Sequence, residues 1–365
     1  MPRLLAAGAI AAGALTACGG SDPKGDEESG RGSLQGSGAG AGGGTGAGAG
    51  AGGEDTPNCG VDGSSIRRLS PTPDEDVGLV LSVDGNIIFG TDAGLYRMPA
   101  QGAAAPEKIL EGRAGNYFAN GSQVGVIQVA DDDSVQLTWV PSAGGASTSV
   151  SLPLSADVFW SYDKARNALF GITSERPLTY ARHDLSSGQT EEFTTELQLR
   201  SVDAVMIAPS ALLVRMSDFD APDVTELYRV DKGTTTAVRL APDFAQDLLF
   251  AEADDDNVYV TVLVGAGGVR AGHYSVALDG SSPPVRIEGF RGRVDSQNMY
   301  STEQGMFGQD YDGLSFKVFP VGTAAVGETL FEYSCGTADN LDADANNIYL
   351  TVSPRSESWL LTVPR

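Results

Sequence analysis

The sequence predicts an all-β fold, a seven-bladed β-propeller closed by an N-terminal strand in the last blade; six or eight blades also fit. Three observations carry that expectation. A turn-forming, mostly acidic lead into Asn and a β-rich apolar run occurs at Val83-Asp84-Gly85-Asn86-Ile87-Ile88-Phe89 and recurs around Asn167, Asn257 and Asn347, which stand 90 positions apart. Read as two periods of about 45 residues each, that spacing falls in the range of propeller blades. Strands running into a Gly-containing turn recur at Gly102, Gly144, Gly188, Gly233, Gly280 and Gly322, and glycine supplies the positive φ that tight hairpins need. Convincing 3.6-residue periodicity is absent, which argues against helical repeats.

In chain order, residues 1–17 read as a targeting segment. Arg3 gives a short positive start, and Leu4 to Ala14 form an apolar stretch too short to span a bilayer. Leu15-Thr16-Ala17-Cys18 follows and resembles the lipobox of bacterial lipoproteins. The resemblance implies cleavage before Cys18 and acylation of that cysteine, which would tether the mature chain to a membrane without spanning it. Residues 18–57 then collapse to Gly, Ala and Ser. With almost nothing to bury against the entropy of ordering, they read as a flexible linker whose ends lie roughly 35 Å apart. Gly36-Ser37-Gly38-Ala39-Gly40 follows no strand and opens no helix, so it is not a phosphate-binding loop.

Residues 58–365 read as the propeller. Each repeat offers about four strands, the outer ones expected at Lys108-Ile109-Leu110, Thr148-Ser149-Val150, Glu192-Phe193, Val238-Arg239-Leu240, Val285-Arg286-Ile287 and Thr329-Leu330-Phe331. The last repeat ends after the Trp359 strand with no fourth. An orphan strand, Ser65-Ile66-Arg67-Arg68-Leu69, precedes the first repeat. Pairing the two closes the ring and removes both exposed edges. Phe118 to Val129 and Val294 to Gln309 are hard to partition, which leaves six or eight blades open.

Three cysteines are present. With Cys18 assigned to lipid, Cys59 and Cys335 remain, and in an exported protein leftover thiols usually pair. Their disulfide would staple the seam of the ring; two free buried thiols are the alternative. A fourth strand starts at the opposite face from where the preceding blade ends, so residues 60–63 would have to run back along the rim.

Charge and composition exclude more than they identify. Lys and Arg total 24 against 48 Asp and Glu, a net charge of −24 that repels phosphate backbones, so nucleic acid is a poor partner. The two histidines, His183 and His273, sit in no metal or triad motif and read as strand residues. Acidic clusters occur at Asp131-Asp132-Asp133, Asp254-Asp255-Asp256, Asp218 with Asp220 and Asp223, Asp310 with Asp312, and Asp342 with Asp344. An EF-hand loop starting at Asp342 would need Gly at position 347 and Glu at 353, where the chain has Asn347 and Ser353. These clusters therefore read as interstrand turns, where Asp is favoured by side-chain to backbone hydrogen bonds. No nucleophile elbow, sialidase box or Trp-Asp dipeptide occurs. Trp139, Trp160 and Trp359 lie in strand-like runs and read as packing residues. No catalytic residue, metal ligand or cofactor is assigned.

Ile88-Phe89-Gly90-Thr91-Asp92 and Leu95-Tyr96-Arg97-Met98 through Gly102 resemble the Tyr-Trp-Thr-Asp propeller repeat, echoed by Ala277-Leu278-Asp279-Gly280. The resemblance implies a six-bladed extracellular propeller that binds proteins or ligands without catalysis. The expectation is a lipid-anchored, non-catalytic binding propeller outside a bacterial membrane, the outer membrane by default, with a protein or glycan partner. The rivals are a calcium-assisted lyase, lactonase or glycosidase using channel carboxylates, and an envelope assembly factor.

Overall fold

The computed structural model describes residues 56–69, 77–114, 116–130, 132–175, 177–197, 202–218, 221–241, 244–265, 268–290, 298–311, 313–353 and 357–365. No helix occurs among them, and they form a seven-bladed β-propeller.

Blade 1 comprises Val80–Val83, Asn86–Thr91, Gly94–Pro99 and Glu107–Glu111, inner strand to outer. Blade 2 comprises Asn116–Asn120, Gln123–Val129, Val135–Pro141 and Thr148–Leu152. Blade 3 runs Trp160–Asp163, Ala168–Glu175, Leu178–Asp184 and Thr190–Thr194. Blade 4 runs Val202–Ile207, Ala211–Asp218, Ala221–Asp231 and Ala237–Arg239. Blade 5 holds Ala245–Ala253, Asn257–Gly265, Gly272–Ala277 and Val285–Arg286, and blade 6 holds Asn298–Thr302, Gly305–Tyr311, Phe316–Pro320 and Phe331–Tyr333. Blade 7 takes Ala338–Ala343, Asn347–Val352 and Trp359–Pro364 from the C-terminal end and Ser65–Arg68 from the N-terminal end.

The seam follows the expected pairing: Ser65 lies opposite Thr362 and Arg68 opposite Trp359, antiparallel. Arg67 extends the closure to blade 1, donating to the carbonyls of Pro99 (2.6 Å), Ala100 (2.8 Å) and Gly102 (3.2 Å). Cys59 and Cys335 are disulfide-bonded, with Cα atoms 4.5 Å apart across a sequence separation of 276. Ser334 N–H donates to the Cys59 carbonyl, so the chain enters beside the end of blade 6 and turns at Asp62-Gly63 before Ser65.

What holds the ring together is packing between blades. Seven buried apolar clusters occupy the seven junctions, one each. Tyr349 and Leu360 of blade 7 meet Val80, Phe89 and Tyr96 of blade 1, and Phe118 of blade 2 stacks on Tyr162 of blade 3 at 4.1 Å between ring centres. Burying one such large side chain contributes about 1.5–3 kcal/mol, so the packing at the closing junction adds to stability. At the first junction Gly90 is required by close approach: a Cβ there would meet the Tyr117 ring at 2.6 Å. The Tyr117 hydroxyl accepts from Gly90 N–H at 2.7 Å and donates to the Leu79 carbonyl.

The recurring Asn turns out to serve different backbones. In blade 1 the turn is the two-residue Asp84-Gly85, both at positive φ (49° and 72°), a hairpin geometry that suits strand twist. In blade 3 Asn167 itself takes positive φ, 47°. In blades 5 and 7 an aspartate organises the turn. Asp344 Oδ1 accepts from the backbone N–H of Asn346 (2.7 Å) and Asn347 (2.8 Å), and its Oδ2 accepts from the Tyr349 hydroxyl (2.6 Å). Asp254 does the same with Asp256, Asn257 and Tyr259.

Three expectations need correction. The blade count is seven, as the repeat spacing predicts, and not the six that the Tyr-Trp-Thr-Asp resemblance implied. The outer strand of blade 6 starts at Phe331 and not at Thr329, because the preceding loop folds onto its neighbour: Glu288 N–H donates to Ala324 O and Val326 N–H to Glu288 O, both at 2.9 Å. That same contact shortens the outer strand of blade 5 to Val285–Arg286. Blades 4 and 5 are also joined edge to edge, Thr225 pairing with Ala245, which gives one continuous eight-stranded sheet.

Candidate functional site: the charged mouth of the ring

The connections between first and second strands, and between third and fourth, lie on one face of the ring, here called the lower face. Lys164, in the first turn of blade 3, donates to Glu303, in the first turn of blade 6, at 3.0 Å. Blades 3 and 6 are not neighbours, so this exposed ion pair reaches across the ring axis at its lower mouth.

Two buried acids flank the same mouth. Glu252 and Asp342 occupy the position two residues before the turn aspartates Asp254 and Asp344. Each accepts from the backbone at the start of its own turn, Ala253 N–H at 3.0 Å and Ala343 N–H at 2.8 Å. Each also accepts from the inner strand of the next blade: Glu252 from Ser301 N–H, and Asp342 Oδ2 from Ser82 N–H at 2.6 Å. Burial pushes the Glu252 carboxyl up to about 7 and that of Asp342 up to about 6. The neighbouring Asp254 adds to the first shift, and Glu303 and Asp344 add to the second.

At the blade 3–blade 4 junction on this face, Asp163 and Lys232 form an ion pair of 2.9 Å with both side chains almost wholly buried, 3% and 2% exposed. Lys232 Nζ also donates to the Pro209 carbonyl at 3.0 Å and sits 4.7 Å above the Phe170 ring centre. Arg166 completes the group, its Nη1 lying 2.9 Å from Asp163 Oδ2. Burial holds the Lys232 ammonium below the ordinary lysine range. Burial alone would raise the Asp163 carboxyl, but Lys232 and Arg166 outweigh it and hold it low. A groove of about 610 Å³ lies on the same face between blades 6 and 7, lined by Gln304, Leu330, Phe331 and Arg365 among others.

The sequence-predicted residues fall as follows. Cys18 lies outside the described residues; Cys59 and Cys335 are brought together. Asp342 and Asp344, the run singled out for calcium, part company: one points to blade 1 and the other folds back on its own turn. Asp132 Oδ1 accepts from Ser134 N–H at 3.1 Å, a turn contact; Asp131, Asp220, Asp312 and the side chains of Asp218 and Asp223 lie outside the described residues. Asp310 is buried in the second strand of blade 6. Among the described residues no three His, Cys, Asp or Glu side chains meet as a metal-binding group. His183 and His273 are buried strand residues held by Thr190 (2.8 Å) and Thr261 (3.0 Å). Trp139 packs edge-on to Phe118, and Trp160 donates to the Ser155 carbonyl.

Glu252, the Asp163–Lys232 pair and the cross-axis Lys164–Glu303 pair were missed. For Glu252 a signal existed: Glu252-Ala253-Asp254 and Asp342-Ala343-Asp344 repeat at the 90-residue spacing. The ion pairs carry no such signal.

The two raised carboxyls give a testable pH dependence. In the folded ring each binds a proton more tightly than in the unfolded chain. Their contribution is therefore complete below the unfolded carboxylate range and is lost as pH rises through the folded values of about 7 for Glu252 and about 6 for Asp342. The E252Q substitution removes one of the two titrations. Thermal melts at about pH 5 and about pH 8 should show wild type losing more stability than Glu252→Gln on going to the higher pH; equal losses would refute the assignment.

No family model and no curated protein matches the chain. Solved structures do. The β-propeller domain of the Trilobed protease from Pyrococcus furiosus, described as having an open velcro topology, aligns with a TM-score of 0.54 at 8% identity, over 79% of this chain and 95% of that one. The Pyrococcus horikoshii acylaminoacyl peptidase aligns at 0.52 with 8% identity, over 80% of this chain and 52% of that one. A Mycobacterium tuberculosis puromycin-hydrolyzing peptidase aligns at 0.50 with 12% identity, over 81% and 53%. The chain thus spans about half the length of these two peptidases. At such identities the likeness defines the fold, a β-propeller, and nothing finer.

Proposed function

We propose that this chain is a lipid-anchored β-propeller working on the outer side of a bacterial membrane as a non-catalytic scaffold that presents its ring to a protein or glycan. The observation that carries the reading is the Cys59–Cys335 disulfide placed directly after the glycine-rich tether. Disulfides persist in oxidising compartments, which agrees with export, and this one pins to the link between blades 6 and 7 the segment through which any pull on a Cys18 anchor would enter the ring. Among the described residues no helix is long and apolar enough to cross a membrane; in this reading the acylated Cys18 supplies the attachment. The outer membrane is the default site.

A second reading, a propeller enzyme, is favoured by the two carboxyls of raised pKa at the lower mouth, since groups poised near neutral pH suit acid–base work. An envelope assembly factor would differ from the scaffold mainly in its partner. The test of the anchor is the intact mass of the mature chain. The expected product begins at Cys18, carries acyl chains and partitions into detergent, whereas the Cys18→Ala variant stays in the aqueous phase. A mature N-terminus without acyl mass overturns the anchor. Robust turnover of glycans, lactones or peptides that is lost in Asp342→Asn would overturn the non-catalytic reading in favour of the enzyme.

A further inference from the structure

Each blade of an open-edged ring ends in a strand with free backbone donors and acceptors, and proteins blunt such edges with charge, brevity or a covering loop. Six of the seven outer strands here are blunted. Glu107–Glu111 and Thr190–Thr194 carry two glutamates each, and Ser65–Arg68 carries two arginines. Ala237–Arg239, Val285–Arg286 and Phe331–Tyr333 are only two or three residues long and each holds a charge. Thr148–Leu152 in blade 2 is the exception. It runs five residues, its first four are exposed, and it has no charged side chain.

The exception extends to all four strands of the blade, whose charge is confined to Asp131-Asp132-Asp133 between the second and third. Residues 114–130 and 134–156 carry no Asp, Glu, Lys or Arg in a chain of net charge −24. Beside the bare edge lies an apolar groove of about 230 Å³ between blades 2 and 3, lined by Leu137, Trp139, Val150, Leu152 and Leu185 among others. Val150 stands half exposed at 49% on that side. Ser149, on the other side of the strand, is already bonded to Thr138 at 2.9 Å.

We propose that Thr148–Leu152 is a self-association edge, at which two copies of this chain join their blade 2 sheets antiparallel about a two-fold axis through Val150. Charge selects a second copy as the occupant. Two molecules of net charge −24 repel wherever carboxylates face each other, and this strand is the one outer edge that can meet itself with no charge on either side. The strand is also self-complementary. With Val150 opposite Val150, Ser149 falls opposite Ser151 and Thr148 opposite Leu152, and each copy sets its own Val150 over the groove of the other. Isologous pairing of this kind closes at two copies and cannot propagate. A five-residue pairing is a small interface, so weak, concentration-dependent association is expected.

The test is sedimentation of the full mature chain in detergent across a concentration series. Wild type is expected to pass from one copy to two. Val150→Lys places like charges on the axis and should raise the dissociation constant roughly tenfold or more. Val238→Lys, at the comparably exposed valine on the outer strand of blade 4, should leave association unchanged. Independently of folding effects in the lysine variant, Val150→Cys should cross-link to itself under mild oxidation, and Ser149→Cys, which faces Ser151, should not. Wild type that stays single up to roughly 100 micromolar overturns the proposal, as does association that survives Val150→Lys or cross-linking equal at the two cysteine positions. Binding of an uncharged alternating peptide at this edge by a single-copy chain would likewise overturn self-pairing and point to a different protein partner. None of these outcomes depends on whether Cys18 is acylated.

Discussion

Replacing Lys232 by methionine should lower the stability of the ring by about 3–5 kcal/mol, because the change leaves the Asp163 carboxylate buried without its cation. The two side chains are 2.9 Å apart and almost fully excluded from water. Removing one partner therefore exposes the whole desolvation cost of the other. Arg166 still reaches Asp163, which places the expected loss toward the lower end of the range. Methionine keeps the length and the contact with the Phe170 face, so lost packing is a minor part of the effect. The double variant Asp163→Leu with Lys232→Met removes both charges and should recover most of the loss, since a buried pair is often replaceable by apolar groups at little net cost. Urea unfolding of wild type and the two variants measures this directly. A single variant within about 1 kcal/mol of wild type would mean that water reaches the pair.

Removing the disulfide, by Cys59→Ser with Cys335→Ser, should cost a similar amount by another route. The bond closes a loop of 276 positions, and in the chain-entropy model such a loop contributes about 5 kcal/mol by limiting the unfolded chain. Both cysteines are buried in the cluster that includes Tyr333 and Trp359, so lost packing adds to the entropic term. The expected result is a lower unfolding midpoint together with earlier release of Ser65–Arg68, the strand the bond holds in place. Hydrogen exchange at Arg67 and Leu360, a pair in hydrogen-bonding register across the seam, distinguishes this from uniform weakening: both amides should lose protection ahead of the inner strands. Unchanged exchange at the seam in the reduced chain would show that the strand is held by its ladder and Arg67 alone.

Much of this architecture was legible in the sequence because it is repeated. A strand that ends in a positive-φ turn must announce itself with Gly, Asn or Asp, and a ring must announce itself six or more times. The closing strand could be read from a shortage at one end and a surplus at the other. The same Asn, however, marks three turn geometries, and only the coordinates separate Asn167 in a left-handed conformation from Asn257 and Asn347 held by an aspartate. The charged mouth was largely hidden. Lys164 and Glu303 lie 139 residues apart, Asp163 and Lys232 lie 69 apart, and neither spacing is a multiple of any periodic signal. Such pairs depend on how far neighbouring blades are rotated about the axis, a quantity no local pattern encodes. The same holds for the union of blades 4 and 5, which needs only one extra pairing at Thr225.

That union makes the wheel mechanically uneven. At the junction of blades 4 and 5 the two sheets share a ladder pairing, whereas the backbone hydrogen bonds at other junctions, such as those of Glu288 with Ala324 and Val326 between blades 5 and 6, run through loops. Relative tilting of blades 4 and 5 is thereby resisted by main chain as well as by packed side chains.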